Sequence, residues 1–455
     1  MKQTGASQTI FRLALPIIAG SILQQLYNTA DAMIVGRYLG ENRLAAVTVA
    51  SPIMSLLTFF IYGIGIGMNV LFAQKYGRGN KVEFRETVGT ALCAGSLFVL
   101  LLSAICTTFA RQILLATHAP DAVLADALTY LRIIIFGLIF NFLYNYNSAA
   151  LLTLGDSKTA FFALAGSSGL NILLDWLFVA RLNFGVAGAA IATIIAQCIS
   201  MLTCTIYVRH NYPILSIPLK DLRIRLERLK ELVAFSGASA FQQSVLYGGR
   251  LLVQGAVNGL DVSVIAGYGA ACRIESFVLA PLEGIASSSA SYCAKQVGKG
   301  MDENVKDGFL SGVKISMIFN LIISSCIFIF SSKVIPLFLG NISDGAMYGG
   351  TTYLRHMAVF YIAVSFTQML QALFRGLGKL RVTIVNTILQ ISLRVGITYL
   401  LIGRMGVSAV CWGTLLGWLG MVVYGGYHAI RYFRKDLSLL RLPVHHQSAF
   451  QDASH

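Results

Sequence analysis

Two aspartates stand where the surrounding sequence is apolar. Asp31 lies in Tyr27-Asn28-Thr29-Ala30-Asp31-Ala32-Met33-Ile34-Val35, and Asp175 in Asn171-Ile172-Leu173-Leu174-Asp175-Trp176. An ionisable group in hydrocarbon costs a few kcal/mol even on the mildest scales, so one that persists there marks a functional site by default. Asn171 and Asp175 are four residues apart and share one face of a helix. Two carboxylates and an amide make an oxygen-rich set that suits a hard cation such as sodium, while a carboxylate shielded from water holds a proton more readily. The same atoms serve either ion. The competing reading for Asp31 is a cap or an ion pair with Arg37 near a helix end.

A second group of charges follows in the other half of the chain: Arg250, Arg273, Glu275 and Glu283. Opposite charges on neighbouring helices often neutralise one another, so Arg250 and Glu275 read equally well as a structural pair or as substrate contacts. Arg132, Arg355 and Arg394 also fall in or near apolar segments, where long basic side chains reach for the interface. The string Asn141-Phe142-Leu143-Tyr144-Asn145-Tyr146-Asn147 is costly against lipid and is expected to face a water-filled cavity, as are Gln24 and Tyr27. Aromatic faces with scattered amides suit flat organic cations. Interfacial anchoring of the tyrosines is the alternative.

Other chemistry is missing. The eight cysteines lie singly in apolar stretches, the seven histidines are scattered, and no GxxxxGK[ST] phosphate loop occurs. No nucleophile and base pair at catalytic spacing stands out, so neither an enzyme nor a bound cofactor is expected. Energy for any transport must come from an ion gradient or a partner subunit.

The elements that carry these residues are set by the solvent. Of 455 residues, 56% are apolar and only 12% charged, and mean hydropathy is +0.70. A soluble domain keeps roughly a quarter of its residues charged. Apolar blocks long enough to cross a bilayer, about 20 residues each, run over residues 10–36, 44–74, 88–109, 127–153, 159–181 and 186–208, and then over 231–257, 262–292, 308–331, 351–374, 383–403 and 407–430. The fold class is therefore an all-α polytopic membrane protein of twelve transmembrane helices. The first block carries Pro16, Gln24, Gln25 and Asp31, with no small-residue cleavage site after a short apolar run, and reads as helix one and not a signal peptide.

The net charge of +15 is distributed by side. Most Lys and Arg fall in both termini and in the connections near 75–86, 154–158, 209–230, 295–307 and 375–381, whereas the opposite set holds Arg37, Arg43, Arg111, Arg181, Lys333 and Arg404. The positive-inside rule puts both termini in the cytoplasm and makes nucleic acid an unneeded partner. The most basic connection divides the chain into an N-terminal lobe, 1–209, a linker, 210–230, a C-terminal lobe, 231–434, and a polar tail, 435–455.

The lobes repeat one another. Lys75-Tyr76-Gly77-Arg78-Gly79 corresponds to Gln296-Val297-Gly298-Lys299-Gly300, Tyr130-Leu131-Arg132 to Tyr353-Leu354-Arg355, Leu154-Gly155 to Leu377-Gly378, and Gly185-Val186 to Gly406-Val407, in order and at nearly constant separation. Two six-helix units of the same orientation are related by an axis along the membrane normal, and such pairs enclose a site whose access alternates between sides. Gly63, Gly65 and Gly67, and Gly413 and Gly417, read as small-residue rows for close helix packing.

Over residues 8 to 434 this pattern resembles the MATE family of multidrug and toxic compound extrusion transporters. The resemblance rests on the duplicated lobes, Pro16 ahead of Asp31, Asn171 with Asp175, the turn Leu154-Gly155-Asp156, the run Gly185-Val186-Ala187-Gly188-Ala189-Ala190-Ile191-Ala192-Thr193, and Arg273-Ile274-Glu275-Ser276-Phe277. It implies a multi-pass protein of the plasma or inner membrane, acting as a monomer, that exports small and often cationic organic compounds in exchange for protons or sodium. It also implies that Asp31, Asn171, Asp175 and Thr193 form the ion site and that Pro16 lets helix one bend. The substrate cavity would draw on Gln24, Tyr27, Asn141, Tyr144, Asn145, Arg250 and Glu275. Some members carry acids on helices seven and ten for a second sodium site; this chain lacks them, which favours coupling through the first lobe. The rival readings are a lipid-linked saccharide flippase of the same wider superfamily and a non-transporting membrane scaffold.

If the charge distribution sets the topology, a single cysteine placed between Arg209 and Lys230 will react with an impermeant thiol reagent in inside-out vesicles and stay unlabelled in intact cells; labelling from outside would reverse the orientation.

Overall fold

Helix is the structure expected of a chain whose polar backbone must be satisfied without water, and among the described residues no strand occurs. The computed structural model describes residues 5–117, 119–215, 222–338 and 343–439. Part of the basic linker and most of the expected tail lie outside them. The first lobe comprises α1 (Ala6–Tyr38), α2 (Glu41–Gly77), α3 (Lys81–Thr108), α4 (Ala110–Ala116), α5 (Asp121–Leu154), α6 (Ser157–Asp175) and α7 (Gly185–Asn211). The second comprises α8 (Leu226–Val257), α9 (Val262–Gly298), α10 (Asp302–Val334), α11 (Asp344–Gly376), α12 (Leu380–Met405) and α13 (Ser408–Leu439).

Twelve of these helices correspond to the twelve apolar blocks. Eleven are long and apolar enough to cross a membrane. The remaining one, α8, is diluted by Gln242, Gln243, Arg250 and Gln254, of which Gln242, Arg250 and Gln254 line a cavity of the second lobe. The connection after α3 contains the short α4. One expectation needs correction: the last helix runs past residue 434 to Leu439, so the tail begins later than composition implied.

The repeat is visible in backbone geometry. Six glycines with positive φ fall into three corresponding pairs: Gly79 and Gly300 (77° and 70°), Gly155 and Gly378 (94° and 70°), and Gly185 and Gly406 (62° and 54°). Each ends or begins a spanning helix, where the chain must reverse and a side chain would be strained. Past Gly155, Asp156 caps α6 by accepting the Thr159 N–H at 3.1 Å, and its other oxygen accepts the Tyr212 hydroxyl at 3.0 Å. The second lobe has Lys379 at that place.

The lobes meet along one half of the bundle, the half that holds the start of α1 and the end of α13. There α2 lies directly on α8 and α9. A Cβ on Gly63 would come within 2.5 Å of Ala240 Cα, one on Gly67 within 2.5 Å of Ser236 Cα, and those on Gly77 and Gly298 would strike the opposing helix backbone. Gln74 donates to the Gly376 carbonyl across the seam at 2.7 Å. Gly65, on another face of α2, accommodates Asn145, whereas Gly413 and Gly417 accommodate α12.

Charge reinforces the seam. Lys75 is only 1% exposed and sits between Glu83 of the first lobe (2.6 Å) and Glu231 of the second (2.7 Å). Arg228 of α8 reaches back to Glu83 and Glu86 at 3.1 and 3.6 Å. A lysine so enclosed is tolerable only because two carboxylates satisfy it.

Adding one methyl group at the seam therefore separates the lobes. Gly67→Ala should lower the thermal unfolding midpoint in detergent. Gly166→Ala, on α6 with nothing within 4 Å of the added carbon, should hold or raise it, because alanine is intrinsically the better helix former by up to about 1 kcal/mol.

Candidate functional site

Asp31 and Asp175 meet. Asp31 lies two turns from the end of α1, and Asp175 is the last α-helical residue of α6. The two carboxyl groups face each other closely enough for a side-chain hydrogen bond. Carboxylates have only acceptors, so such a bond requires a proton on one of them. Asp175 is 0% exposed. Oδ1 of each carboxyl is buried without a donor from the protein. Among the described residues neither pairs with a Lys or Arg, so the expected alternative of an Asp31 pair with Arg37 is not adopted.

The second layer is built from α6 and α7. Asn171 lies one turn before Asp175, as the spacing required; oriented to satisfy both its amide atoms, it donates to Asp175 Oδ2 at 3.3 Å and accepts the Thr193 backbone N–H at 3.2 Å. Thr193 thus contributes its backbone. Its hydroxyl is occupied with the Ala189 carbonyl at 3.0 Å, so the side chain is not among the groups that reach the carboxylates.

Directly after Asp175 the hydrogen bonding widens into a π-helical turn, Trp176–Arg181. Such turns are rare and recur at functional sites because they rotate the following residues out of α register. No feature of residue type signals it. Tyr27 and Tyr130 also lie within electrostatic reach of both aspartates. In the sequence Tyr130 stands out only as part of the repeat.

Its repeat partner, Tyr353, does the corresponding thing in the second lobe. Its hydroxyl donates to Glu275 Oε2 at 2.9 Å, and Tyr361 donates to Oε1 at 3.2 Å. The two lobes therefore place the same tyrosine beside an acid of the helix bundle. Arg394 lies near Glu275 and Tyr353, but neither it nor Arg250 forms an ion pair with Glu275 among the described residues. Arg250 instead lies over the Phe59 ring at 5.9 Å, across the lobe boundary.

Arg250 and Glu275 line a common cavity of about 300 Å³ within the second lobe, together with Glu283, Arg394 and Trp418. The expected first-lobe members of a substrate cavity do not line it. Gln24 is exposed and hydrogen-bonds Tyr27. Asn145 donates to the Asn141 carbonyl at 2.9 Å, and Tyr144 donates to the Ala160 carbonyl at 3.3 Å. The wider expectation that the whole string from Asn141 to Asn147 faces water is incorrect. Tyr146 and Asn147 are buried, bonded to Val88 O of α3 and to Thr205 of α7. Consecutive residues of a helix point in different directions, so one face cannot take them all. Pro16 is buried in α1, which continues through it unbroken.

Two repeated six-helix lobes, a buried acid pair in one and a polar cavity in the other define a polytopic membrane transporter. Comparison with known proteins agrees. The family model described as MatE matches residues 16–177 and again 238–400, once in each lobe. This chain belongs to the MatE family, whose members are transporters and not enzymes. It is 28% identical over 418 residues to "Probable multidrug resistance protein YpnP" of Bacillus subtilis (strain 168), covering 89% of this chain and 91% of that protein. It is 23% identical over 428 residues to "Multidrug export protein MepA" of Staphylococcus aureus (strain NCTC 8325 / PS 47), covering 90% of each. Among solved structures, "Outward-facing conformation of a multidrug resistance MATE family transporter of the MOP superfamily" superposes with a TM-score of 0.89 at 24% identity, over 94% of this chain and 96% of that one.

The tyrosine arrangement can be tested alone. Tyr353→Phe removes one of the two hydroxyl donors to the half-buried Glu275 carboxylate and should cost about 1–3 kcal/mol of stability, as hydrogen bonds to charged groups do. In a denaturation cycle Tyr353→Phe and Glu275→Gln should be non-additive, because both remove the same contact.

Proposed function

We propose that this protein exports small, often cationic organic compounds by alternating access, driven by protons or sodium ions entering through the Asp31 and Asp175 pair, with both termini in the cytoplasm. The carrying observation is the geometry of that pair. Two carboxyl groups that meet in a membrane interior, with buried oxygens and no basic partner, bind a cation or stay protonated. The printed names of the relatives, multidrug resistance and multidrug export proteins, support the substrate class.

The mechanism follows from what each part can do. With the termini inside, the seam of α2, α8 and α9 closes the cytoplasmic half, and the aspartates lie about 10 Å below the outer ends of their helices, given 1.5 Å per residue. An ion arriving from outside neutralises the pair. Neutralisation shifts the lobe equilibrium only if the ion binds one arrangement better than the other. α1 can carry that preference, because it packs on α6 of its own lobe, with Gly20 against Phe161 and Leu164, and on α9 and α10 of the other lobe, with Ile17 and Ile18 at Gly284 and Ser7 on Ser311. Pro16 lies within this shared stretch, and its missing N–H leaves the Arg12 carbonyl without a helical donor, so the helix bends there at least cost.

Substrate would be taken by the second-lobe cavity. Glu275 and Glu283 offer carboxylates there beside Arg250 and Arg394, so the cavity is polar without a net charge, and Trp418 offers an aromatic face to a flat cation. The saccharide flippase reading gains less support, because in that cavity the two arginines that would hold a pyrophosphate are matched by two glutamates. Sodium and proton remain alternatives at the same oxygens, and separate gradients decide between them.

Asp31→Asn and Asp175→Asn each keep size while removing the titratable group. Each should preserve expression and substrate binding but reduce gradient-driven dye efflux from the cytoplasmic side about tenfold or more. Because the pair acts as a unit, the double variant should be little worse than either single one. Efflux near wild type in both single variants, measured in inside-out vesicles under imposed proton and sodium gradients separately, would overturn the assignment.

A further inference from the structure

A second cavity, of about 240 Å³, lies at the closed half of the bundle. Its wall comes from both lobes: Gln8, Thr9 and Arg12 near the start of α1, Thr153 and Gly155 at the end of α5, and Ser291, Tyr292 and Lys295 near the end of α9. It is separate from the aspartate pair, which lies towards the other ends of α1 and α6, and from the Glu275 cavity, with which it shares no lining residue.

Its electrostatics are one-sided. Arg12 and Lys295 are its charged lining residues and no acid lines it. Neither basic residue forms an ion pair among the described residues, although an abundant cluster of carboxylates satisfies Lys75 and Arg228 on the neighbouring seam. Lys295 lies over the face of Tyr76 at 4.6 Å from the ring centre. That contact holds the ammonium in place and leaves its hydrogens free to donate. Asp307 comes near Tyr292 from outside the lining. Two cations without an ion-pair partner among the described residues, Lys295 held over Tyr76 and Arg12 exposed, face one partly enclosed space, an arrangement that suits an anion.

Depth narrows the class of anion. Arg12 is six residues into α1 and Lys295 three residues from the end of α9, about 5–10 Å inside the helix ends. That is the depth of a lipid headgroup where helices leave the bilayer. We propose that this cavity binds a phosphate monoester or diester, as carried by an anionic phospholipid headgroup or by a soluble organic phosphate, and that occupancy favours the arrangement in which this half of the bundle is closed. The second part follows from linkage: α5 and α9 belong to different lobes, so their separation dismantles the site, and a ligand of the closed form alone stabilises it.

The test uses the purified full-length protein with three probes: short-chain phosphatidylglycerol, the matching diacylglycerol without phosphate, and glycerol phosphate. Thermal unfolding and direct binding are both read. Phosphatidylglycerol should bind saturably and raise the unfolding midpoint, the diacylglycerol should not, and affinity should fall as salt is raised, a readout on the unaltered protein. Arg12→Gln and Lys295→Gln should each weaken binding about tenfold, whereas Arg12→Lys and Lys299→Gln, the latter outside the cavity, should retain it. Equal protection by glycerol phosphate supports the site and assigns it to soluble phosphates; dependence on the acyl chains as well assigns it to lipid. Absence of saturable, phosphate-dependent binding to the unaltered protein, or unchanged affinity in both Gln variants, overturns the proposal.

Discussion

A carboxylate in a membrane interior must be neutralised by something, and among the described residues no basic side chain forms an ion pair with Asp31 or Asp175. Asp175 is fully enclosed, Asp31 faces it, and the groups beside them include an amide and two tyrosines, none of which carries positive charge. Desolvation of a charge outweighs every other local term in a membrane interior. The rest of the lobe is arranged around that constraint. The π turn after Asp175 sets where α6 ends, the backbone of Thr193 fixes the Asn171 amide, and α1 brings Asp31 in from the helix that touches both lobes.

The closed seam answers the opposite demand. There a positive charge, Lys75, is nearly as enclosed, but it receives two carboxylates, one from each lobe, at hydrogen-bond distance. The glycines of α2 make this feasible by letting backbones approach where any side chain would hold them apart. In lipid, close van der Waals packing replaces the hydrophobic drive that joins helices in water. The protein thus contains one interior charge set completed across the lobes and one left open within a lobe. That contrast is what an ion-responsive two-state device needs, since a site already neutralised gives an incoming ion nothing to change.

The second lobe shows how duplication is kept in architecture and released in chemistry. The turn glycines retain their left-handed backbone in both copies, and Tyr130 and Tyr353 retain their place beside an acid. What differs is the acid and its surroundings. Where the first lobe has two aspartates that face each other, the second has a single Glu275, on a different helix of the repeat, held by two tyrosine hydroxyls near Arg394. A carboxylate given donors of its own has less need of an external cation, and its cavity is wide enough for an organic molecule.

Fold class, the number of spanning helices, the repeat and the positions of Asp31, Asn171 and Asp175 were legible in the sequence, because each follows from local rules. Hydrocarbon demands long apolar helices, a helix brings residues four apart together, and a buried charge is conspicuous among apolar neighbours. The resemblance added Pro16 and Thr193, though not that Thr193 acts through its backbone. Tertiary structure alone decided the rest. The string from Asn141 to Asn147 divides among several directions because orientation about a helix axis depends on which neighbours pack against it. Whether Arg250 meets Glu275 or Phe59, which acids enclose Lys75, and that Arg12 and Lys295 share one space all depend on distances between helices far apart in the chain. Periodicity within a segment carries no information about those distances, since they arise from the fit of whole surfaces.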